Sequence, residues 1–417
     1  MCAPTNASRI PAIDQQEIVG GRLMNLVQNF HWTPSGRNSL LLLLARVIQM
    51  ANGFVLSIIL VKLFGLHEVG TYTVATVAMS SLSLICGAGL NYSLPREHLS
   101  NHERNTVALW CAVYLIVPSS TIVAVYAVVM AHHTNEIFEI ALFALGGYFF
   151  GQTNVLNTLL LLNNRIHWSI FTPLMNSVGM LIAALMTDTL MAFAAVLLIT
   201  RTLANACLFA RLNYSRVTAT AALRFVWKGL KYSLMDMIAM LSEQTATLIL
   251  ANFLTRAEVG LFGLCQQLLA ASDTPGWSVI QSHYPELVKN ELGLAKSLRR
   301  NLVMLSILMA ILLGFGSYIL GIYVYKIPSL DIMMLVLALS VPWRYLNNFY
   351  DQVLRASGRV RACTRLAMLK FVLSIMISLL SVAYCGVWGA VFGLAFLSIL
   401  SSLLYGIKAT SLVGVQK

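Results

Sequence analysis

Runs of about twenty apolar residues recur along nearly the whole of this chain, and each is long enough to cross a hydrocarbon core about 30 Å thick. Twelve such spans fall at approximately 40–64, 69–90, 107–131, 137–162, 168–187, 189–210, 232–254, 258–281, 302–325, 330–354, 364–384 and 386–408. Charged residues make up only 11% of the sequence and hydrophobic ones 58%, with a mean hydropathy of +0.76. A soluble chain carries about 25% charge. Inside lipid the backbone must satisfy its own hydrogen bonds, so the spans are expected to be helices. The fold class read from the sequence is therefore all-α, a polytopic membrane protein with about twelve transmembrane helices.

The chain also makes one of its parts twice. Spans 1 and 2 are joined by the turn Gly65-Leu66-His67-Glu68-Val69-Gly70 and end at Tyr92-Ser93-Leu94-Pro95-Arg96-Glu97. A shift of 190 positions lays Glu68-Val69-Gly70 on Glu258-Val259-Gly260 (258 − 68 = 190) and Pro95 on Pro285, with no gap between them. Ile59-Leu60 falls on Ile249-Leu250, and Tyr72 on Phe262. A polar turn and a proline held in one register point to two six-helix repeats, an arrangement that transporters favour. The expected organisation is an N-terminal extension at 1–38, a six-helix lobe at 39–210, a linker at 211–231, a second lobe at 232–408 and a tail at 409–417. Within the extension, Val19, Leu23, Leu26, Val27 and Phe30 fall at helical spacing, suggesting a helix on the membrane surface.

Charge fixes the expected orientation. With the N-terminus in the cytoplasm, 22 of the 28 basic residues fall on the cytoplasmic side, and only Arg256 and Lys326 fall in outer loops. That bias is the positive-inside signature, so both termini are expected in the cytoplasm. The net charge of +12 is then a topology signal and gives no reason to expect a nucleic-acid partner. The seven cysteines form no disulfide framework, since Cys385 alone lies near the outer face. No metal-ligand spacing, no phosphate-binding Gly-Lys-Ser/Thr loop and no Asp-x-Asp pair is present, so neither a metal nor another cofactor is expected. With outer loops this short, an enzyme is a poor fit.

Polar residues within the spans are patterned. Arg46, Gln49 and Gly53 share one face of span 1, and Tyr232, Asp236, Glu243 and Thr247 share one face of span 7. Span 10 carries Arg344, Asn347, Asn348, Asp351, Gln352 and Arg355 as one stripe, and span 6 adds Arg201. A charge at mid-membrane costs at least about 2.5–3.5 kcal/mol if it faces lipid. These faces are expected either to line a wet cavity or to pair with one another. Arg46 and Asp236 are 190 positions apart, which places them at equivalent points of the two halves, facing each other across a central axis.

Twelve spans, the early arginine in span 1, the Phe-Gly-x-x-x-Val-Gly-x-Tyr turn at Phe64–Tyr72 and the proline after span 8 before a basic loop carry a resemblance. Over residues 40–408 the chain resembles the Wzx-type O-antigen flippases of the multidrug/oligosaccharidyl-lipid/polysaccharide exporter superfamily. The polar N-terminal extension departs from that pattern. The resemblance implies two lobes around a V-shaped cavity in the bacterial inner membrane. It implies alternating access that moves undecaprenyl-diphosphate-linked oligosaccharide units, with membrane lipids and a polysaccharide polymerase and chain-length protein as partners. Arg46, Arg201 and Arg344, with Gln49 and Asn348, would then hold the diphosphate and sugars, because a guanidinium makes bidentate bonds to phosphate. Asp236, Glu243 and Asp351 would exchange the coupling H+ or Na+. Tyr148 and Gln152 are further sugar contacts on this reading. Two alternatives stand beside it: a cation-coupled multidrug exporter of the same superfamily, and a membrane-embedded glycan-assembly enzyme or scaffold subunit.

Overall fold

The computed structural model describes residues 34–94, 98–163, 165–288, 292–327 and 329–413. The expected surface helix, Pro95 and the side chains of Arg46 and Gln49 lie outside the described residues. The helices are α1 (Pro34–Leu63), α2 (Leu66–Gly87), α3 (Asn101–Met130), α4 (Thr134–Leu162), α5 (Phe171–Met186) and α6 (Leu190–Ala210) in the first half. The second half holds α7 (Ala219–Phe253), α8 (Arg256–Val288), α9 (Leu292–Ile319), α10 (Leu330–Ala338), α11 (Val341–Ala356) and α12 (Val360–Val413). These make the twelve expected spans, because α10 and α11 are one span broken in the middle and α12 is two. Pro342 starts α11 without an N–H to donate back into α10, so the span breaks there. Gly386 takes φ 55 and ψ −132 inside α12, and beyond it Gly389 and Gly393 pack back on Ser381 and Ile377. That is a helical hairpin, turning where the sequence placed the boundary between spans 11 and 12. Helix α7 extends back to Ala219, into the stretch read from the sequence as linker.

Among the described residues, five helices are long and apolar enough to cross a membrane by length and composition: Leu66–Gly87, Asn101–Met130, Leu190–Ala210, Ala295–Tyr325 and Arg361–Ala409. Helices α7, α8 and α11 fall outside that set and carry the charged stripes. Large apolar side chains face outward, among them Leu185, Phe315 and Tyr384. A continuous apolar exterior belongs in lipid rather than water.

The two halves meet along α2 and α8, and the repeated motif is the contact. A Cβ on Gly70 would fall on the backbone carbonyl of Arg256, and one on Gly260 would fall on that of Leu66. Gly70 and Gly260 are 190 positions apart, as are Leu66 and Arg256, so each half makes the same contact on the other. Gly263 packs against Thr73, its own repeat equivalent. Contacts advance together along both helices, so α2 and α8 run parallel about a pseudo-twofold axis. Val69 and Val259 are fully buried beside the seam. Small residues allow this approach, as they do between membrane helices generally.

The two turns that lead into these helices solve one problem differently. Thr255 forms a capping box with Glu258: the Thr255 N–H donates to Glu258 Oε2 at 3.0 Å, and the Glu258 N–H to Thr255 Oγ1 at 3.4 Å. The equivalent of Thr255 is Gly65, which reverses the chain at φ 86, a left-handed value that glycine tolerates. Glu68 is thereby released from capping and lies 3.5 Å from His67 Nδ1.

Gly70→Ala and Gly260→Ala should each lower the thermal unfolding midpoint of the purified protein. The inserted methyl meets backbone, an overpacking cost of about 1–3 kcal/mol. Gly53→Ala, with nothing within 4 Å of the new atom, should leave the midpoint unchanged or slightly higher.

Candidate functional site

Between α7, α8, α11 and α12 lies a cavity of about 230 Å³, lined by Asp236, Glu243, Trp277, Asn348, Asp351 and Lys370 among others. The stripe on α11 reaches it because the break at Pro342 lets α11 turn independently of α10. Helix α8 is opened as well. The Tyr345 hydroxyl donates to the Ser272 carbonyl at 2.6 Å and accepts from the Gly276 N–H at 3.2 Å, replacing a direct ladder bond around Pro275. A side chain inserted in the ladder beside a proline is a recognised cause of a bend. Here it holds Asp273 against the neighbour of Tyr345, which is Arg344.

The charges form two adjoining clusters on the walls of this cavity. Arg344 donates to Asp273 Oδ2 from Nε at 2.8 Å and from Nη2 at 2.5 Å, and lies 3.8 Å from Glu243. Lys370 Nζ donates to Glu243 Oε1 at 3.2 Å. Arg355 donates to Asp236 at 2.9 Å and to Asp351 at 2.7 Å. Four carboxylates thus face three cations, and the formal surplus of one negative charge lies in the Asp236–Arg355–Asp351 cluster. Each guanidinium is satisfied within the half, which is how a charge is tolerated at this depth.

Seven residues singled out from the sequence come together here: Asp236, Glu243, Arg344, Asn347, Asn348, Asp351 and Arg355. Asp236 pairs with Arg355 in its own half; the Arg46 side chain, expected opposite it across the axis, lies outside the described residues. Lys370, counted from sequence among the cytoplasmic basic residues, turns into the cavity with its side chain 10% exposed. Tyr148 and Gln152 lie away from this cavity: the tyrosine hydroxyl donates to the Ala112 carbonyl at 2.5 Å and the glutamine amide N–H to the Cys86 carbonyl at 3.1 Å, with Gln152 Oε1 left unpartnered. Sequence reasoning missed Asp273 and Trp277. Asp273 was detectable as the one acidic residue in the interior of span 8.

Arg201 stands apart, in the first half. Its guanidinium crosses α4 at Gly146, where a Cβ would collide with Nη1, and donates to Met79 Sδ at 3.6 Å. Among the described residues no carboxylate pairs with it. The adjacent Gly147 packs on the α2 backbone at Met79, so the Gly146-Gly147 pair both closes the helices and makes room for the arginine.

A second ion pair, also missed, bridges the halves at the short-loop end. Arg256 at the start of α8 donates from Nε to Glu136 Oε1 at 3.2 Å and from Nη2 to Oε2 at 3.1 Å, a bidentate pair with side chains 1% and 6% exposed. Arg256 Nη2 also donates to the Met130 carbonyl. Glu136 accepts the His132 N–H at 2.7 Å, and His132 Nε2 lies 3.1 Å from the Ala251 carbonyl of α7. The cavity lies toward the opposite, basic end. The halves are therefore latched at one end of the seam.

No family model matches the chain, and no curated protein sequence does. Solved structures match over most of its length. One is an inward-facing multidrug resistance MATE family transporter of the MOP superfamily, with a TM-score of 0.70 at 12% identity, covering 88% of this chain and 95% of that one. Another is the lipid II flippase MurJ in an inward closed conformation, with a TM-score of 0.72 at 13% identity, covering 88% and 87%. A third is the MATE multidrug transporter DinF-BH, with a TM-score of 0.63 at 15% identity, covering 88% and 93%. The chain has the fold of these transporters.

Glu136→Ala should cost about 3–5 kcal/mol, because it leaves Arg256 buried and unpaired. Glu136→Leu combined with Arg256→Met should recover most of that loss in a thermal melt. Burial raises the Glu136 carboxyl, but hydrogen bonds from Arg256 and the His132 backbone outweigh it, so its pKa lies below the ordinary value. A depressed carboxylate stabilises the fold above its unfolded pKa of about 4.3, and that stability is lost as pH falls through the lower folded value. The wild-type melting midpoint should therefore drop more steeply below about pH 4 than that of the double variant.

Proposed function

We propose that this chain is a flippase for undecaprenyl-diphosphate-linked oligosaccharide units, serving O-antigen or other surface polysaccharide synthesis at the bacterial inner membrane. The observation that carries the reading is Arg201. A mid-membrane guanidinium without a carboxylate is costly unless an anion comes to it. The three cations of the second half, by contrast, are already neutralised. Such a substrate has a charged head group that cannot enter hydrocarbon and a lipid tail that need not leave it. A cation in one half, open to the head group as the halves rock, meets that requirement, and Arg46 and Gln49 on α1 are proposed to join it. Likeness to the fold of a lipid II flippase supports the reading.

The coupling ion belongs to the second half on this reading. Asp236 and Asp351 share one guanidinium, and Glu243 shares Arg344 with Asp273 and holds Lys370 as well. A cluster short of one positive charge takes up H+ or Na+ readily. Its occupancy would differ between states that change the distances within it, which is what coupling requires. With the basic end placed in the cytoplasm, the latch closes the outer side and the conformation faces inward.

The surplus carboxylate and Trp277 favour a second reading, a cation-coupled exporter of cationic drugs. Reconstituted vesicles separate the two. Arg201→Ala should lower flipping of a radiolabelled lipid diphosphate-linked saccharide at least tenfold, and Arg201→Lys should restore part of it, since lysine keeps the charge and loses the fork. Neither variant should alter membrane abundance. Full flipping by Arg201→Ala, or transport of cationic dyes with none of the labelled lipid, would reject the flippase reading.

A further inference from the structure

The cavity of the second half is rich in charge, yet its charges are turned toward one another. Its remaining polar groups are uncharged, and they have no partner. The Asn347 Oδ1 is buried without a hydrogen bond. Among the described residues, the Asn348 amide and the Trp277 indole N–H also meet no protein partner, and Asn348 and Trp277 both line the cavity. Two amides supply donors and acceptors side by side on α11, and an indole supplies a flat apolar face with one donor at its edge. An unpartnered buried amide oxygen costs about 1–3 kcal/mol, so an apolar occupant would leave that cost in place. A ligand with hydroxyl groups removes it.

The volume sets the size of that ligand. At about 230 Å³ the cavity is smaller than the roughly 300–1,000 Å³ that holds a drug-sized molecule. One pyranose ring fits the chemistry: its C–H face is apolar and packs on an indole, and its equatorial hydroxyls need donors and acceptors at the rim. We propose that this cavity is a subsite for one neutral sugar ring, with Trp277 as the stacking face and Asn347 and Asn348 as the amides that read its hydroxyls. The inference rests on the flippase reading and divides the head group between the halves. The diphosphate goes to Arg201, and a sugar goes to Trp277 and the two asparagines. Length selectivity then resides in the second half, since only a glycosylated lipid fills both places.

Two probes in reconstituted vesicles test it: a radiolabelled undecaprenyl diphosphate without sugar, and the same lipid bearing one hexose, N-acetylhexosamine or 6-deoxyhexose. Trp277→Ala and the pair Asn347→Ala/Asn348→Ala should each lower flipping of the best glycosylated probe at least tenfold and leave the sugar-free probe within twofold. Trp277→Phe, which keeps an aromatic face, should retain most of the activity. Equal losses on both probes, or no loss on the glycosylated one, would overturn the subsite while leaving the flippase reading intact. If the wild-type protein flips none of these lipids, the flippase reading fails, and binding decides the subsite alone. Tryptophan emission of the full chain in nanodiscs is then titrated with the neutral methyl glycosides of the same three sugars. A saturable change absent in Trp277→Phe supports the subsite, and no response to any of the three, or a response only to a cationic dye, rejects it.

Discussion

Everything in this molecule depends on two glycines that let two helices touch at their backbones. Gly70 and Gly260 each sit on the carbonyl of the residue that starts the opposite helix, and Gly263 sits on the small side chain of Thr73. In lipid, where apolar burial gives helices little reason to associate, close van der Waals contact between small residues holds them together. A seam of that kind has a particular mechanical property. It keeps the halves in register along α2 and α8 and leaves few bulky knobs to lock their relative tilt. Interactions away from the seam must then choose the tilt, and at the short-loop end the buried Arg256–Glu136 pair does so.

Symmetry ends at the backbone. The two halves share a turn, a seam and a helix order, but they hold unlike chemistry. The second half encloses seven charges in two clusters around one cavity, and its helices are deformed to do it: α10 and α11 part at Pro342, and α8 opens around the Tyr345 hydroxyl. In the first half Arg201 lies over a glycine, with no carboxylate beside it among the described residues. Tyr148 and Gln152 in that half donate to backbone carbonyls, and the Gln152 Oε1 is left without a partner. A transported molecule with a charged end and a neutral, hydroxylated end matches the unequal distribution of charge between the halves.

Spans, repeat and hairpin were legible because each leaves a one-dimensional mark: apolar length, a fixed offset of 190, and an apolar run at 364–408 long enough for two spans with a break at Cys385. The contact made by Glu68-Val69-Gly70 and its copy was visible as a motif, though not as a seam. Pairing was harder to read. Helical spacing tells which residues share a face, and so it grouped Arg344, Asn348, Asp351 and Arg355 correctly. It does not tell which helix that face meets. Symmetry set Asp236 at the level of Arg46, and could not show that α11 delivers Arg355 to Asp236. Arg256 and Glu136 escaped notice because each looks like an ordinary loop charge until two turns from different halves are brought together.

The central claim is that the halves rock about the α2–α8 seam and that the short-loop end must open in each cycle. Tying that end shut tests it most directly. His132 and Ala251 face each other across the halves, with the histidine ring 3.1 Å from the alanine carbonyl. In a chain freed of its own cysteines, His132→Cys with Ala251→Cys can be joined by oxidation or by a short bifunctional thiol reagent. Flipping of labelled lipid-linked saccharide should stop when the pair is joined and return on reduction of the oxidised form, while each single cysteine variant is unaffected by the same treatment. Undiminished flipping with the halves cross-linked at this end would contradict alternating access about the seam.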